Sequence, residues 1–152
     1  MDELYWLNRA HAFANAKTGC LKVGVGSAIV SQNGRLLSLG TNISIPDCRV
    51  VGCLRVQLYG NDDKTHRGPT DCHAVHSEIH ALVKNKYSNE GATIYITRYP
   101  CEGCARAIVA SGIKRVFYGR TQEITDLTKQ IFDYGGVEVN WIKEWVAEDK
   151  YE

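Results

Sequence analysis

Apolar positions recur with two different periods along the 152-residue chain, and the alternation between them lays out the fold. Leu4, Leu7, His11 and Ala14 stand three and four apart, with alanines at 10, 12, 14 and 16; this predicts an amphipathic first helix of about 15 residues, stopped near Gly19. Val23 to Val30 reads as a glycine-rich strand with its core at Ala28, Ile29 and Val30. Asn33-Gly34 marks a tight turn, and Leu36 to Thr41 returns as an antiparallel partner. Residues 42 to 72 keep no period. They carry Pro46, Gly52, Gly60, Gly68 and Pro69, which predicts a long loop with one short helical turn over Cys53 to Leu58.

Periodicity resumes at Cys72 to Lys84, where Val75, Ile79, Leu82 and Val83 form a helical stripe that Asp71 can cap. Ala92 to Thr97 alternates as a strand. Tyr99-Pro100 then forces an extended residue ahead of a helix over 101–111, which Gly112 ends. Val116 to Tyr118 forms a further strand, Asp126 to Tyr134 a helix, and Val137 to Val139 a last strand after Gly135-Gly136. Trp141, Ile142, Trp145 and Val146 place apolar groups on one face of a final helix, suited to packing against the domain or a subunit. The order helix, hairpin, helix, strand, helix, strand, helix, strand, helix points to an α/β sandwich with a mixed sheet. No repeat or linker divides residues 1–152, which read as a single domain.

Composition narrows the class. Apolar residues make up 44% of the chain and charged residues 23%, as in an ordinary globular protein. A chain of this size buries roughly 70% of its extended surface, enough for a core without staples. The net charge of +1 supplies no broad field for nucleic acid, which is not an expected partner. No apolar run approaches the length of a membrane span, and Met1-Asp2-Glu3 lacks the basic and apolar regions of a secretion signal, so a cytoplasmic location is expected. Six cysteines without such a signal favour metal binding over disulfides.

The chemistry concentrates in His76-Ser77-Glu78 and Pro100-Cys101-Glu102-Gly103-Cys104. Cys101 and Cys104, three apart at a helix start, put two sulfurs on nearly one face, where unpaired backbone N–H groups and the helix dipole favour thiolate. A dithiol redox pair uses the same spacing but gives His76 and Glu78 no task. His76 as third ligand completes a zinc site with a fourth position open to water, whose pKa zinc lowers toward 7. Glu78 stands beside that site free to move the water's proton to a ring nitrogen and a leaving amine. A purely structural zinc needs another ligand and leaves Glu78 unused.

His76-x-Glu78 with Pro100-Cys101-x-x-Cys104 resembles the zinc-dependent cytidine/deoxycytidylate deaminase superfamily, and within it the deoxycytidylate deaminases. The resemblance runs over residues 4 to 140. It includes Lys22-Val23-Gly24, Gly34-Arg35, Gly40-x-Asn42, Thr93-Ile94-Tyr95-Ile96-Thr97-x-x-Pro100-Cys101 and Ser111-Gly112-Ile113-Lys114-Arg115-Val116. It implies a three-layer α-β-α sandwich around a five-stranded mixed sheet, with zinc held by His76, Cys101 and Cys104. Glu78 is then the catalytic proton shuttle and dCMP the substrate, converted to dUMP with release of ammonia. Asn42 is assigned to the sugar, the backbone near Ser77 and Thr97 with its following loop to the base, and Tyr118 to the pocket wall. A homo-oligomer, in many members a hexamer activated by dCTP and inhibited by dTTP, is implied as well.

The resemblance also implies a second, structural zinc drawn from Cys48, Cys53, Cys72, His73 and Cys20, with Cys48 and Cys72 as its first choices. Phosphate contact falls to Arg120, Arg98, Lys22 or Arg55. The chain departs from the family pattern at Thr41 and Ile43, where tyrosine and glycine usually flank the asparagine, and at His80, where asparagine is usual. Two other classes stay open: deamination of another free nucleoside, base or nucleotide or of single-stranded nucleic acid, and a non-catalytic zinc-stabilised interaction protein.

Overall fold

The structure, a computed structural model, describes residues 2–20, 23–61, 65, 72–122 and 124–147. The first helix, α1 (Glu3–Lys17), starts at Asp2, whose carboxylate accepts the Leu4 amide hydrogen at 2.9 Å, and ends at Thr18, just ahead of Gly19. Strands β1 (Gly26–Val30) and β2 (Leu36–Thr41) form that hairpin, and Gly34, at φ 84°, supplies the left-handed turn residue that Asn33-Gly34 predicts. Two short helices, α2 (Cys48–Val51) and α3 (Leu54–Tyr59), occupy the aperiodic stretch. Then follow α4 (Ser77–Lys84), β3 (Thr93–Arg98), α5 (Glu102–Ser111), β4 (Arg115–Arg120), α6 (Asp126–Gly135) and β5 (Glu138–Trp141).

The five strands make one mixed sheet in the order β2-β1-β3-β4-β5. β1 runs antiparallel to both β2 and β3, whereas β3, β4 and β5 are parallel. Helices cover both faces, as the α-β-α reading expects. On one face Ile29, Ile94, Ile96 and Val116 pack under α4, α5 and α6 through Ala81, Ala105, Ile108 and Phe132. On the other, Ala28, Val30 and Tyr95 pack against Trp6, Leu7 and Ala10 of α1 and against Trp145. Adjacent residues of each central strand thus serve opposite cores, which is why β1 is buried throughout and β3 up to Thr97.

Three local expectations change. The helix expected over 72–84 begins only at Ser77, and Val75 instead bridges Ile43 in extended backbone, its amide nitrogen 2.6 Å from the Ile43 oxygen. Pairing with the chain that leaves β2 competes with the helical period there. Asp71, the expected cap, lies outside the described residues. Cys101 is the residue before α5 rather than part of its first turn. The final helix is not formed: Trp141 ends β5 and donates its indole N–H to the Gly119 oxygen at 3.1 Å, while Trp145 donates to Asn8 Oδ1 at 2.9 Å. The four apolar side chains that mimic a helical stripe belong to a strand end and a turn folded back on α1, and a short apolar run cannot separate those cases.

The topology places the chemistry. β2 and β3 point the same way, so their C-terminal ends share one edge of the sheet with the entry to β1. Asn42 follows β2, Pro100 and Cys101 follow β3, and α4 begins at the same edge. Gly40 of β2 lets α4 come this close: a Cβ there would stand 2.3 Å from the Ser77 carbonyl oxygen and 2.4 Å from the Ala81 nitrogen.

Candidate active site

Two helix starts converge on one point. His76 and Cys101 occupy the positions just before α4 and α5, where a polar side chain would commonly cap the helix; neither spends its side chain that way. His76 Nδ1 lies 3.3 Å from Cys104 Sγ and 3.4 Å from Cys101 Sγ. All three ligand atoms fall within 4.8 Å of one another, and they are the one such group of histidine, cysteine and carboxylate side chains among the described residues. Zinc bonds of about 2.3 Å to sulfur and about 2.0 Å to nitrogen in tetrahedral geometry separate nitrogen from sulfur by roughly 3.5 Å, so the donor set and its spacing fit zinc with one position to spare.

The electrostatics fit a cation as well. The Cys104 thiol bonded to Cys101, aided by the His76 ring, holds the Cys101 thiol down to about 4 against the effect of burial. That same contact, with burial and the nearby Glu78 carboxylate, pushes Cys104 up. A bound dication draws both thiols toward the thiolate form.

Glu78 is 4% exposed and belongs to the first turn of α4. Burial raises its carboxyl above the ordinary value, while the Ser77 hydroxyl, donating to Oε1 at 2.7 Å, and the His76 ring act in the opposite direction. A carboxyl so placed binds and releases a proton more readily near neutral pH than an exposed one.

A cavity of about 260 Å³ opens over these groups. Ser77, Glu78, His76 and Cys101 form its floor, with Asn42, Arg55, Arg98, Tyr99 and Gln122 around them. Asn42 is thus a lining residue of the cavity. Its side chain is also a structural hub: Oδ1 accepts from the Thr18 hydroxyl at 2.8 Å and the Val25 amide at 3.0 Å, and Nδ2 donates to the Val23 oxygen at 2.8 Å. Thr97 and Tyr118 are not among the lining residues. The Thr97 hydroxyl accepts the Gly26 amide hydrogen at 3.0 Å and ties β3 to β1, and Tyr118 packs edge-on against Tyr99, its ring centroid 4.8 Å away.

The five donors expected to hold a second metal form no group of three within ligand spacing among the described residues. Cys20 and Cys72 line the cavity, Cys48 Sγ lies 3.2 Å from the Ser44 hydroxyl, and His73 Nε2 lies 3.1 Å from the Pro46 oxygen. Cys53 precedes α3. Of the four cations proposed for phosphate, Arg55 and Arg98 reach the cavity, Arg120 lies over the Trp145 ring at 5.8 Å, and Lys22 falls outside the described residues. Tyr99, which the sequence marks only as the residue before Pro100, and Gln122 also line the cavity, because their place in the wall depends on how the chain turns after β3 and β4.

Known proteins agree with this geometry. The family described as the cytidine and deoxycytidylate deaminase zinc-binding region matches residues 1–120. Over 145 residues the chain is 30% identical to ComE operon protein 2 of Bacillus subtilis, covering 91% of this chain and 70% of that protein. Over 121 residues it is 36% identical to the deoxycytidylate deaminase of Mycobacterium phage D29, covering 75% of this chain and 91% of that protein. The dCMP deaminase of cyanophage S-TIM5, solved with dCMP and dUMP, shares the fold at a TM-score of 0.63 and 24% identity, over 91% of this chain and 94% of that one. With the profile match spanning most of its length and the histidine-cysteine-cysteine cluster in place, the chain belongs to the zinc-binding cytidine and deoxycytidylate deaminase family.

Proposed function

We propose that the chain hydrolyses dCMP to dUMP and ammonia, with His76, Cys101 and Cys104 holding zinc and Glu78 moving the protons. The observation that carries this reading is the burial of the Glu78 carboxyl beside the three converging ligand atoms, inside a cavity that also presents Asn42 and two arginines. When bound, zinc supplies Lewis acidity that lets water ionise near neutral pH. Glu78 takes the proton that water gives up, delivers it to N3 of the cytosine ring, and then carries the remaining proton of that water, from the new hydroxyl on C4, to the departing amine. The C4–N bond breaks and a C4–O bond forms, so water and dCMP balance dUMP and ammonia.

Amide N–H groups at the starts of α4 and α5 serve the site itself: that of Glu78 bonds its own carboxyl and that of Cys104 bonds Cys101. Asn42 meets the sugar. Arg55 and Arg98 give the cavity the positive charge that a 5′-phosphate requires and a free nucleoside does not. The 36% identity to a phage deoxycytidylate deaminase, over nine-tenths of that protein, supports the same substrate. Activation by dCTP, inhibition by dTTP and assembly into a hexamer belong to this proposal. Ammonia release by the zinc-loaded protein from dCMP, cytidine, dCTP and deoxyadenosine compounds tests it, with dCTP and dTTP added in turn and the mass in solution measured alongside.

A further inference from the structure

Behind Glu78 lies a polar chain that the family motif does not call for. Ser77 Oγ donates to Glu78 Oε1 at 2.7 Å, and Ser27 Oγ lies 2.7 Å from Ser77 Oγ. Both serines are fully buried, so neither hydroxyl exchanges its partner for water. Because the Ser77 hydrogen points at the carboxylate, Ser27 is the donor in the second bond. Ser27 sits in β1 directly opposite Gly40 of β2, on the sheet face that meets α4. The bare Cα of Gly40 brings the Ser77 backbone against the sheet, and this contact closes the distance between the hydroxyls. A buried serine more often bonds a nearby backbone carbonyl; here the two hydroxyls and the carboxylate satisfy one another.

We propose that Ser27 and Ser77 are positioning residues for the proton shuttle, a hydroxyl chain anchored in the sheet that fixes the Glu78 carboxyl in one orientation toward the metal site. The inference rests on Glu78 being the shuttle of the proposed deamination. A freely rotating carboxyl spends part of its time facing away from the reacting atoms, whereas one held by a rigid strand stays in place through the reaction. Ser27 touches neither substrate nor metal ligand and acts through Ser77 alone.

The test compares zinc-loaded Ser27→Ala, Ser77→Ala and the double variant with the parent. Losing a single hydrogen bond of this kind should lower kcat roughly three- to tenfold. KM should hold within about twofold, since no uniform binding contact is removed. The double variant should be no slower than Ser77→Ala, because Ser27 has no other route to Glu78. Unchanged kcat in both single variants, multiplying losses in the double, or a loss confined to KM would overturn the proposal. Ser77→Ala carries the kinetic test alone if Ser27→Ala does not fold. A crystal structure of zinc-loaded Ser77→Ala supplies a readout independent of turnover: the Glu78 carboxyl should leave its present rotamer or occupy more than one, and a single unchanged rotamer would overturn the proposal. If no nucleotide is deaminated by the parent, the assignment of function falls, while the crystal structure still decides the role of the hydroxyl chain.

Discussion

Gly40 and Ser77 are in such close contact that a methyl group on Gly40 would lie 2.3 Å from the Ser77 carbonyl oxygen. One missing side chain on β2 thereby sets the distance from the sheet to the helix that carries Glu78, and to His76 just before it. Gly40→Ala must push the start of α4 outward, because the atoms it meets are backbone. The variant should lose about 1–3 kcal/mol of stability, read by denaturant unfolding, and should lose turnover disproportionately. Stability within about 0.5 kcal/mol of the parent would show that the contact is not limiting.

Glu78→Gln separates the proton shuttle from the scaffold. It should keep zinc and lower kcat roughly 10²- to 10⁴-fold. Its effect on the zinc-free protein has the opposite sign. Burial raises the Glu78 carboxyl above its ordinary value of 4.5, so folding favours the protonated form. That contribution is fully present below the ordinary value and is lost as pH rises through the folded one. Zinc-free Glu78→Gln should therefore be more stable than the parent at pH 7, with the gap closing as pH falls toward 4.5. Unfolding curves at several pH values check the sign; a gap that widens toward acid would contradict it.

Zinc-free protein should also reveal the two cysteines as unequal. With its thiol held down to about 4 by Cys104 and His76, Cys101 is a thiolate throughout the neutral range. Its alkylation rate should be nearly flat from about pH 5 to pH 8, and peptide mapping should find the label on Cys101 before Cys104, which is 2% exposed. An ordinary thiol gains about tenfold per pH unit over the same range, and that slope at Cys101 would contradict the assignment. Zinc should protect both.

Asn42 carries two tasks, and its substitution should show both. Asn42→Ala leaves the Val25 amide without its side-chain acceptor and the Val23 oxygen without its donor, while the Thr18 hydroxyl keeps the backbone oxygen of residue 42; the loss costs about 1–3 kcal/mol of stability. For the variant that remains folded, kcat/KM for dCMP should also fall. Unchanged kinetics would leave Asn42 as a purely structural hub.

The sequence disclosed the metal site because its residue types are rare together and their spacing is local: Cys101-x-x-Cys104 and His76-x-Glu78 can be read without knowing the fold. The sandwich was legible as well, since most apolar runs keep one clear period. Trp141 to Val146 was misread because a strand end followed by a turn can mimic helical spacing over so few residues. The hydroxyl chain was illegible for a different reason. Ser27 and Ser77 are 50 positions apart, and their meeting depends on strand register, on which face of β1 meets α4, and on the absence of a side chain at Gly40. Thr97 shows the converse: the family resemblance assigns it with its following loop to the base, and a hydrogen bond across the sheet, from the Gly26 amide to the Thr97 hydroxyl, is nothing the sequence announces.

Ammonia release from dCMP by the zinc-loaded protein, measured beside cytidine, dCTP and deoxyadenosine compounds, tests the central claim most directly. The account predicts turnover of dCMP at the highest kcat/KM of the panel, dUMP as product, and loss of both zinc and turnover in His76→Ala. Stoichiometric zinc at the His76, Cys101 and Cys104 site with no ammonia from any of these substrates, or a clear preference for unphosphorylated cytidine, would contradict it.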